Sequence, residues 1–154
     1  MGSRINPYQQ AKTLMAAFNV FDDAVNATSL DLKLIELVKV RASQINGCAS
    51  CLETHVRRAR ESAGEAEVRL YLLNAWRESS LYSPRERAAL AWTEAITLVA
   101  DSHVPDEVYD EVHALFSDDE LVELTMIVTT INAWNRFGVA FRRPHSRRPI
   151  SPSS

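Results

Sequence analysis

An all-α fold is what this sequence predicts, and three observations carry it. Apolar residues recur at spacings of three and four through most of the chain, the period of a helix buried on one face. Two Ser-x-x-Glu capping boxes open later helices. Four glycines and six prolines are few for a turn-rich β protein, and no strand is predicted.

The elements follow in order. Leu14, Ala17, Phe18, Phe21 and Val25 predict a first helix over residues 8–24. Residues 26–29 are turn-like, and Ser29 is a candidate cap for a second helix that carries Leu30, Leu34, Leu37, Val38 and Ile45, with Asp31 in its first turn. Asn46-Gly47 is a stop signal. Cys48 therefore falls at the start of a third helix that runs to about residue 63 and is ended by Gly64. A shorter helix is predicted over residues 65–76. Ser83-Pro84-Arg85-Glu86 opens a helix through Ala89, Trp92 and Ile96 to residue 101, because Ser caps, Pro suits the first helical position and Glu closes the box. Residues 105–116 form a further short helix, and Ser117-Asp118-Asp119-Glu120 caps the last one. The reading divides the chain into a helical domain over residues 1–143 and a Pro/Ser/Arg tail over 144–154, expected to be extended or disordered.

With 154 residues, 46% of them hydrophobic, the chain can build a core. A formal charge of −3 gives no support to nucleic-acid binding, which needs concentrated positive charge. The basic cluster, Arg142, Arg143, Arg147 and Arg148, reads as a solvated tail or as a contact for an acidic partner or a neighbouring subunit. No apolar run approaches the roughly 20 residues that cross a bilayer. The N-terminus, MGSRINPYQQ, has no secretory h-region, so a cytoplasmic location is expected, with no membrane partner. In such a reducing compartment two close thiols, Cys48 and Cys51, read as redox-active or metal-binding.

The chemistry concentrates in Cys48-Ala49-Ser50-Cys51-Leu52-Glu53-Thr54-His55. At 100° per residue, Cys48, Cys51 and His55 share one helical face. A thiolate at a helix N-terminus gains from unpaired N–H groups and the helix dipole. A histidine one turn on can take the thiol proton or stabilise the thiolate. Either cysteine is a candidate nucleophile, and Cys51 has the better base. Cys51 is assigned as the attacking sulfur and Cys48 as the resolving one, which would also be the easier target for an external reductant because it is nearer the helix end. Glu36, in the preceding helix, lies on a stripe with Val40 and Ser43. A tight turn packs the two helices side by side, so its carboxylate can reach the thiols or His55, directly or through water.

The pattern Glu36, eleven residues, Cys48-x-x-Cys51, three residues, His55 resembles the active-site signature of the AhpD-like alkylhydroperoxidases within the carboxymuconolactone decarboxylase family. The similarity covers residues 30–100 and, more loosely, the chain to residue 141. The resemblance implies an AhpD-like helical bundle, a homo-oligomer (dimer, trimer or hexamer), and thiol-dependent reduction of an organic hydroperoxide or H2O2. It implies a Cys51 sulfenic acid resolved as a Cys48–Cys51 disulfide, a Glu36/His55 proton relay, a thiol or dithiol reductant, and no cofactor or metal. One departure stands out: Ser50 occupies a position where the two-repeat peroxidase has a histidine.

Three other readings compete with this one. Two thiolates, His55 and Glu36 could ligate a structural zinc, although three ligands along one helix close a tetrahedron poorly. The wider family includes lactone decarboxylases, whose proton shuttling needs no thiol pair. A non-catalytic, oxidant-sensing helical protein is the third. Trp76, Trp92 and Trp134 read as packing residues, Tyr82 or Trp92 as a candidate pocket wall, and Asn132 and Arg136 as an interface or pocket wall.

Overall fold

In the computed structural model, which describes residues 4–145, the described residues form helices and turns only. In chain order these are α1 (Pro7–Gln10), α2 (Lys12–Asn26), α3 (Leu32–Asn46), α4 (Ala49–Glu61), α5 (Glu67–Leu72) with a 3-10 turn (Leu73–Ala75), α6 (Pro84–Thr97), α7 (Val99–Ser102), α8 (Asp106–His113) and α9 (Asp118–Ala140). Both capping boxes are present: Ser83 accepts from Glu86 N and Ser117 from Glu120 N, and each glutamate reaches back to its cap. Most of the tail expected over 144–154 lies outside the described residues.

Several boundaries differ from the sequence reading. The helix expected over 65–76 is α5 followed by a 3-10 turn, and α4 and α8 each end two or three residues early. Three further differences have a visible cause. The first helix breaks at Ala11 (φ −125, ψ 54), because Asn6 and Pro7 start a separate four-residue turn tied to α9 through Arg4 Nη1 donating to Ala140 O at 2.7 Å. Asp31, not Ser29, caps α3 by accepting from Lys33 N; Ser29 Oγ instead donates to Glu123 Oε2 at 2.7 Å and ties the α2–α3 turn to α9. The helix opened by Ser83 leaves helical geometry at Leu98, where Thr97 Oγ1 is engaged by Asn132 Nδ2 at 3.0 Å, and α7 continues as a separate turn. In each case a long-range contact outweighs a local preference.

Helix α3 is central, and it is buried on every side between Leu34 and Val40. Leu34, Ile35 and Val38 join Trp92, Phe116, Leu124, Ile127 and Val128 in one core cluster. Leu37 and Val40 turn to a second, with Ala59, Leu73, Trp76 and Leu90. A helix buried all round is normally apolar throughout. Here Glu36, Lys39 and Ser43 are buried as well, and they form the third face, towards the site.

Polar ties hold α3 against its neighbours. Glu94 on α6 accepts from Arg41 Nε at 2.9 Å, Trp76 Nε1 at 2.8 Å and Arg77 Nη2 at 2.6 Å. Burial pushes the Glu94 carboxyl up, but these donors outweigh it and hold it below the ordinary carboxylate range. At the other end of α3, Asn46 Nδ2 donates to Asn132 Oδ1 and Asn135 Oδ1, both at 2.9 Å, and Asn135 Nδ2 donates to Ser43 Oγ at 3.0 Å. Asn132, expected at an interface or pocket wall, is therefore a buried clamp between α3, α6 and α9, and Arg136 donates to its carbonyl. No described helix is long and apolar enough to cross a membrane.

A carboxylate with a depressed folded-state pKa contributes stability above its unfolded value, and that contribution is lost as pH falls through the folded value. Glu94→Gln should cost about 2 kcal/mol at pH 7, the scale of hydrogen bonds to a charged group. The gap from wild type should close as the pH falls below the ordinary value of 4.5, where the wild-type carboxyl protonates. Urea unfolding across pH 3–7 would measure both; a gap independent of pH would contradict the assignment.

Candidate functional site

The site begins at the junction of α3 and α4. Gly47 adopts φ 64, ψ 33, the left-handed conformation that glycine takes most easily. Its N–H bonds to Gln44 O at 3.3 Å, and Cys48 N–H bonds to Ser43 O at 3.1 Å, closing α3 in a Schellman motif. Cys48 is also the N-cap residue of α4, and its carbonyl accepts the first bond of that helix from Leu52 N at 2.9 Å. One residue thus ends α3 and starts α4. Cys51 follows within the first turn, and the two sulfurs form a disulfide with Cα atoms 5.3 Å apart.

One turn on, His55 Nδ1 lies 2.7 Å from Glu36 Oε2. An ionised carboxylate only accepts, so in that state of the pair Nδ1 carries the proton. Glu36 is 0% exposed. Its other oxygen, Oε1, has no hydrogen-bond partner and lies 3.8 Å from Arg58 Nε. The sequence had left open whether Glu36 meets the thiols or His55; it meets His55, and directly.

Cys51 and His55 open on the same cleft of about 200 Å3, whose walls include Lys39, Asp22, Arg58 and Trp134. The structure reverses one expectation here. Cys48 was the sulfur nearer the helix end, but it is 1% exposed against 5% for Cys51, and Cys51 is the one lining the cleft. Helix α9 covers Cys48: a Cβ built on Gly138 would stand 2.5 Å from Cys48 Sγ, 3.3 Å from Cys51 Sγ and 3.4 Å from Ser50 Oγ. Ser50 Oγ itself lies 3.6 Å from Cys48 Sγ.

Three parts of the site were missed in the sequence. Lys39, three residues after Glu36, is 3% exposed and donates from Nζ to Asn26 Oδ1. Burial pulls its ammonium below the ordinary range, against the opposing fields of Glu36 and Asp22 and with that of Arg58. The signal was available: Glu36, Lys39 and Ser43 repeat at helical spacing beside the apolar stripe of Leu34, Ile35, Leu37, Val38 and Val40. Gly138 was the second, and a glycine inside a helical pattern does mark a close approach. The third is the aromatic wall. Tyr8 and Trp134 line the cleft, whereas Tyr82 is buried with its hydroxyl on Arg69 O and Trp92 donates to Thr125 Oγ1 at 3.0 Å in the core. Among the described residues, no three His, Cys, Asp or Glu side chains converge as a metal site.

The sequence and the fold have counterparts among known proteins. Residues 12–95 match the model of the carboxymuconolactone decarboxylase family. The chain belongs to that family. It is 39% identical over 140 residues to the uncharacterized protein YdfG of Bacillus subtilis (strain 168), covering 91% of this chain and 95% of that one. A solved protein of unknown function from Agrobacterium tumefaciens, provisionally assigned as the antioxidant defence protein AhpD, superimposes with a TM-score of 0.92 at 37% identity, over 96% of this chain and all of that one. The alkylhydroperoxidase AhpD core of a peroxidase-related protein from Ralstonia eutropha JMP134 shares the fold, with a TM-score of 0.78 at 19% identity over 91% and 74% of the two chains. An AhpD-like helical bundle with a bonded cysteine pair supports a redox, antioxidant-type role.

Two expectations test the site's packing. Gly→Ala inside a helix ordinarily stabilises by about 1 kcal/mol. Gly138→Ala should instead destabilise, by roughly 1–3 kcal/mol, because the new methyl group overpacks the cysteine pair. Thermal unfolding of the oxidised protein gives the sign, and a raised Tm would contradict the contact. A lysine whose folded pKa is depressed costs stability below that pKa, and the cost fades as pH rises towards its unfolded value of 10.5. Lys39→Met should therefore be more stable than wild type at pH 7, by on the order of 1 kcal/mol. That advantage should shrink in denaturant titrations as the pH is raised towards 10.

Proposed function

We propose that this protein is a thiol-dependent peroxidase that reduces organic hydroperoxides or H2O2. The observation that carries the reading is the convergence of Cys51, joined to Cys48, and the His55–Glu36 pair on one cleft.

In the reduced protein, the Cys51 thiolate attacks the terminal peroxide oxygen. The S–O bond forms as the O–O bond breaks, and the departing alkoxide takes a proton from His55 Nε2, leaving Cys51 as sulfenic acid and releasing the alcohol. The sulfur of Cys48 then attacks the Cys51 sulfur, the S–O bond breaks, and the departing hydroxide takes the proton of the Cys48 thiol and leaves as water, giving the disulfide. Two electrons and two protons from an external thiol or dithiol restore the pair. The sum is two thiols and one hydroperoxide to one disulfide, one alcohol and one water. Glu36 holds the imidazole in the productive tautomer and balances the imidazolium that forms when His55 takes the Cys51 proton. The ammonium of Lys39, on the same cleft, favours the thiolate over the thiol. Ser50 is placed to donate to the Cys48 sulfur rather than to act as a base.

The buried position of Cys48 supports one order of events. The sulfur lining the cleft meets the substrate, and the covered one resolves the intermediate without leaving its place under Gly138. The same exposure supports Cys51 as the sulfur a reductant attacks. Lactone decarboxylation would leave the thiol pair without a task. The outer face of α2, where Leu14, Val20 and Phe21 are exposed, supports assembly as a homo-oligomer.

Rapid mixing of the reduced protein with cumene hydroperoxide tests the reading. Wild type should form the Cys48–Cys51 disulfide, Cys48→Ser should accumulate a sulfenic acid that dimedone traps on Cys51, and Cys51→Ser should consume no peroxide. Glu36→Gln should slow the first step by about 10²-fold, the lower end of what a positioned acid or base contributes. Peroxide consumption by Cys51→Ser at the wild-type rate would overturn the assignment.

A further inference from the structure

Beside the cleft lies a second and larger cavity, of about 490 Å3, which the peroxidase chemistry does not use. Tyr8, Trp134 and Arg143 line both cavities, so the two adjoin. The volume falls in the range of roughly 300–1,000 Å3 typical of small-molecule sites. The two differ in character. The cleft holds Asp22, Lys39, Cys51 and His55, whereas the larger cavity is lined by the apolar side chains of Met15, Phe137 and Phe141, with Gly138 at its closest approach to the cysteine pair.

The charge of the larger cavity is one-sided. Arg4, Arg142 and Arg143 line it, and among the described residues no carboxylate does. Arg142 and Arg143 belong to the basic cluster that the sequence shows and the catalytic reading leaves idle. Arg142 stands in the left-handed region at φ 50, where a glycine would be the easier residue at the end of α9, yet an arginine occupies it. Arg4 spends one N–H on Ala140 O, and a guanidinium has four more to offer.

We propose that this cavity is a binding subsite for an amphipathic organic anion. Its hydrocarbon part would lie on Met15, Phe137 and Phe141, its carboxylate would be held by Arg4 and Arg142, and its hydroperoxide would be presented past Trp134 to Cys51. The preferred substrate class is then a medium- or long-chain carboxylic acid hydroperoxide rather than H2O2. The substrate half of this inference rests on the peroxidase reading, and the binding half does not.

The oxidised protein cannot reduce peroxide, so it isolates the binding half. Calorimetric titration of the disulfide form with decanoate and with decanol should show saturable 1:1 binding of decanoate. Decanol should bind about tenfold more weakly, the effect expected when charge-assisted hydrogen bonds are lost. Arg4→Gln/Arg142→Gln should remove that tenfold difference while the far-UV circular dichroism stays as in wild type. In turnover, wild type should prefer linoleic acid hydroperoxide to its methyl ester, and the double variant should lose the preference through KM. Equal binding of decanoate and decanol by wild type, or no binding of either while cumene hydroperoxide is still consumed, would overturn the subsite. Charge-dependent decanoate binding by a protein that consumes no hydroperoxide would keep the subsite and overturn the peroxidase reading instead.

Discussion

A carboxylate with no solvent exposure can be kept in a helical core only if something answers its charge, and the pairing of Glu36 with His55 is that answer. The requirement fixes much else. It demands that α4 lie alongside α3 with His55 facing inward, which in turn sets Cys51 one turn away on the same cleft. It also places Lys39, three residues further along α3, in the same low-dielectric surroundings, where neighbouring anions only partly offset the cost of its burial. The polar face of α3 is a standing expense in stability that apolar residues of similar size would avoid. That face lies between two apolar clusters and carries Glu36 and Lys39 to the cleft side of the helix.

How much of this could be read beforehand depended on how far apart in sequence the partners lie. Cys48, Cys51 and His55 fall within one helix, so helical periodicity alone puts them on one face. Glu36 is only one tight turn away, and Asn46-Gly47 announces that turn, so its approach to His55 was within reach of local reasoning. Gly138 and Trp134 come from a helix more than eighty positions later, and nothing local says which of its faces meets the cysteines. Asn132 and Asn135 illustrate the same limit. In sequence they interrupt an apolar run and suggest a surface; in the fold they meet Asn46 and Ser43 and are buried.

The relative accessibility of the two sulfurs follows the same logic. Position along a helix suggests that the cap residue is the more exposed, and for an isolated helix it would be. Helix α9 inverts the order by covering the cap, with a residue that has no side chain to hold it away. Helix boundaries went the same way: Ala11 and Leu98 carry no breaking signal, and the contacts that interrupt the helices near them come from α9. Helix α9 is thus the element that converts a locally legible motif into a shaped site, which is why the motif's chemistry was clearer than its surroundings.

The double duty of Cys48, closing α3 and opening α4, bears on how this junction tolerates change in length. There is no loop between the two helices to absorb an insertion. One added residue would turn α4 by about 100° relative to α3 and advance it by about 1.5 Å. His55 would rotate off Glu36, leaving the carboxylate buried and alone, and Cys51 would turn away from the cleft. Length variation among such chains is therefore expected in the connections between α4 and α6 or at the termini, and not between Glu36 and His55. The spacing in that segment is a mechanical coupling, with one glycine and one cysteine serving as the rigid joint.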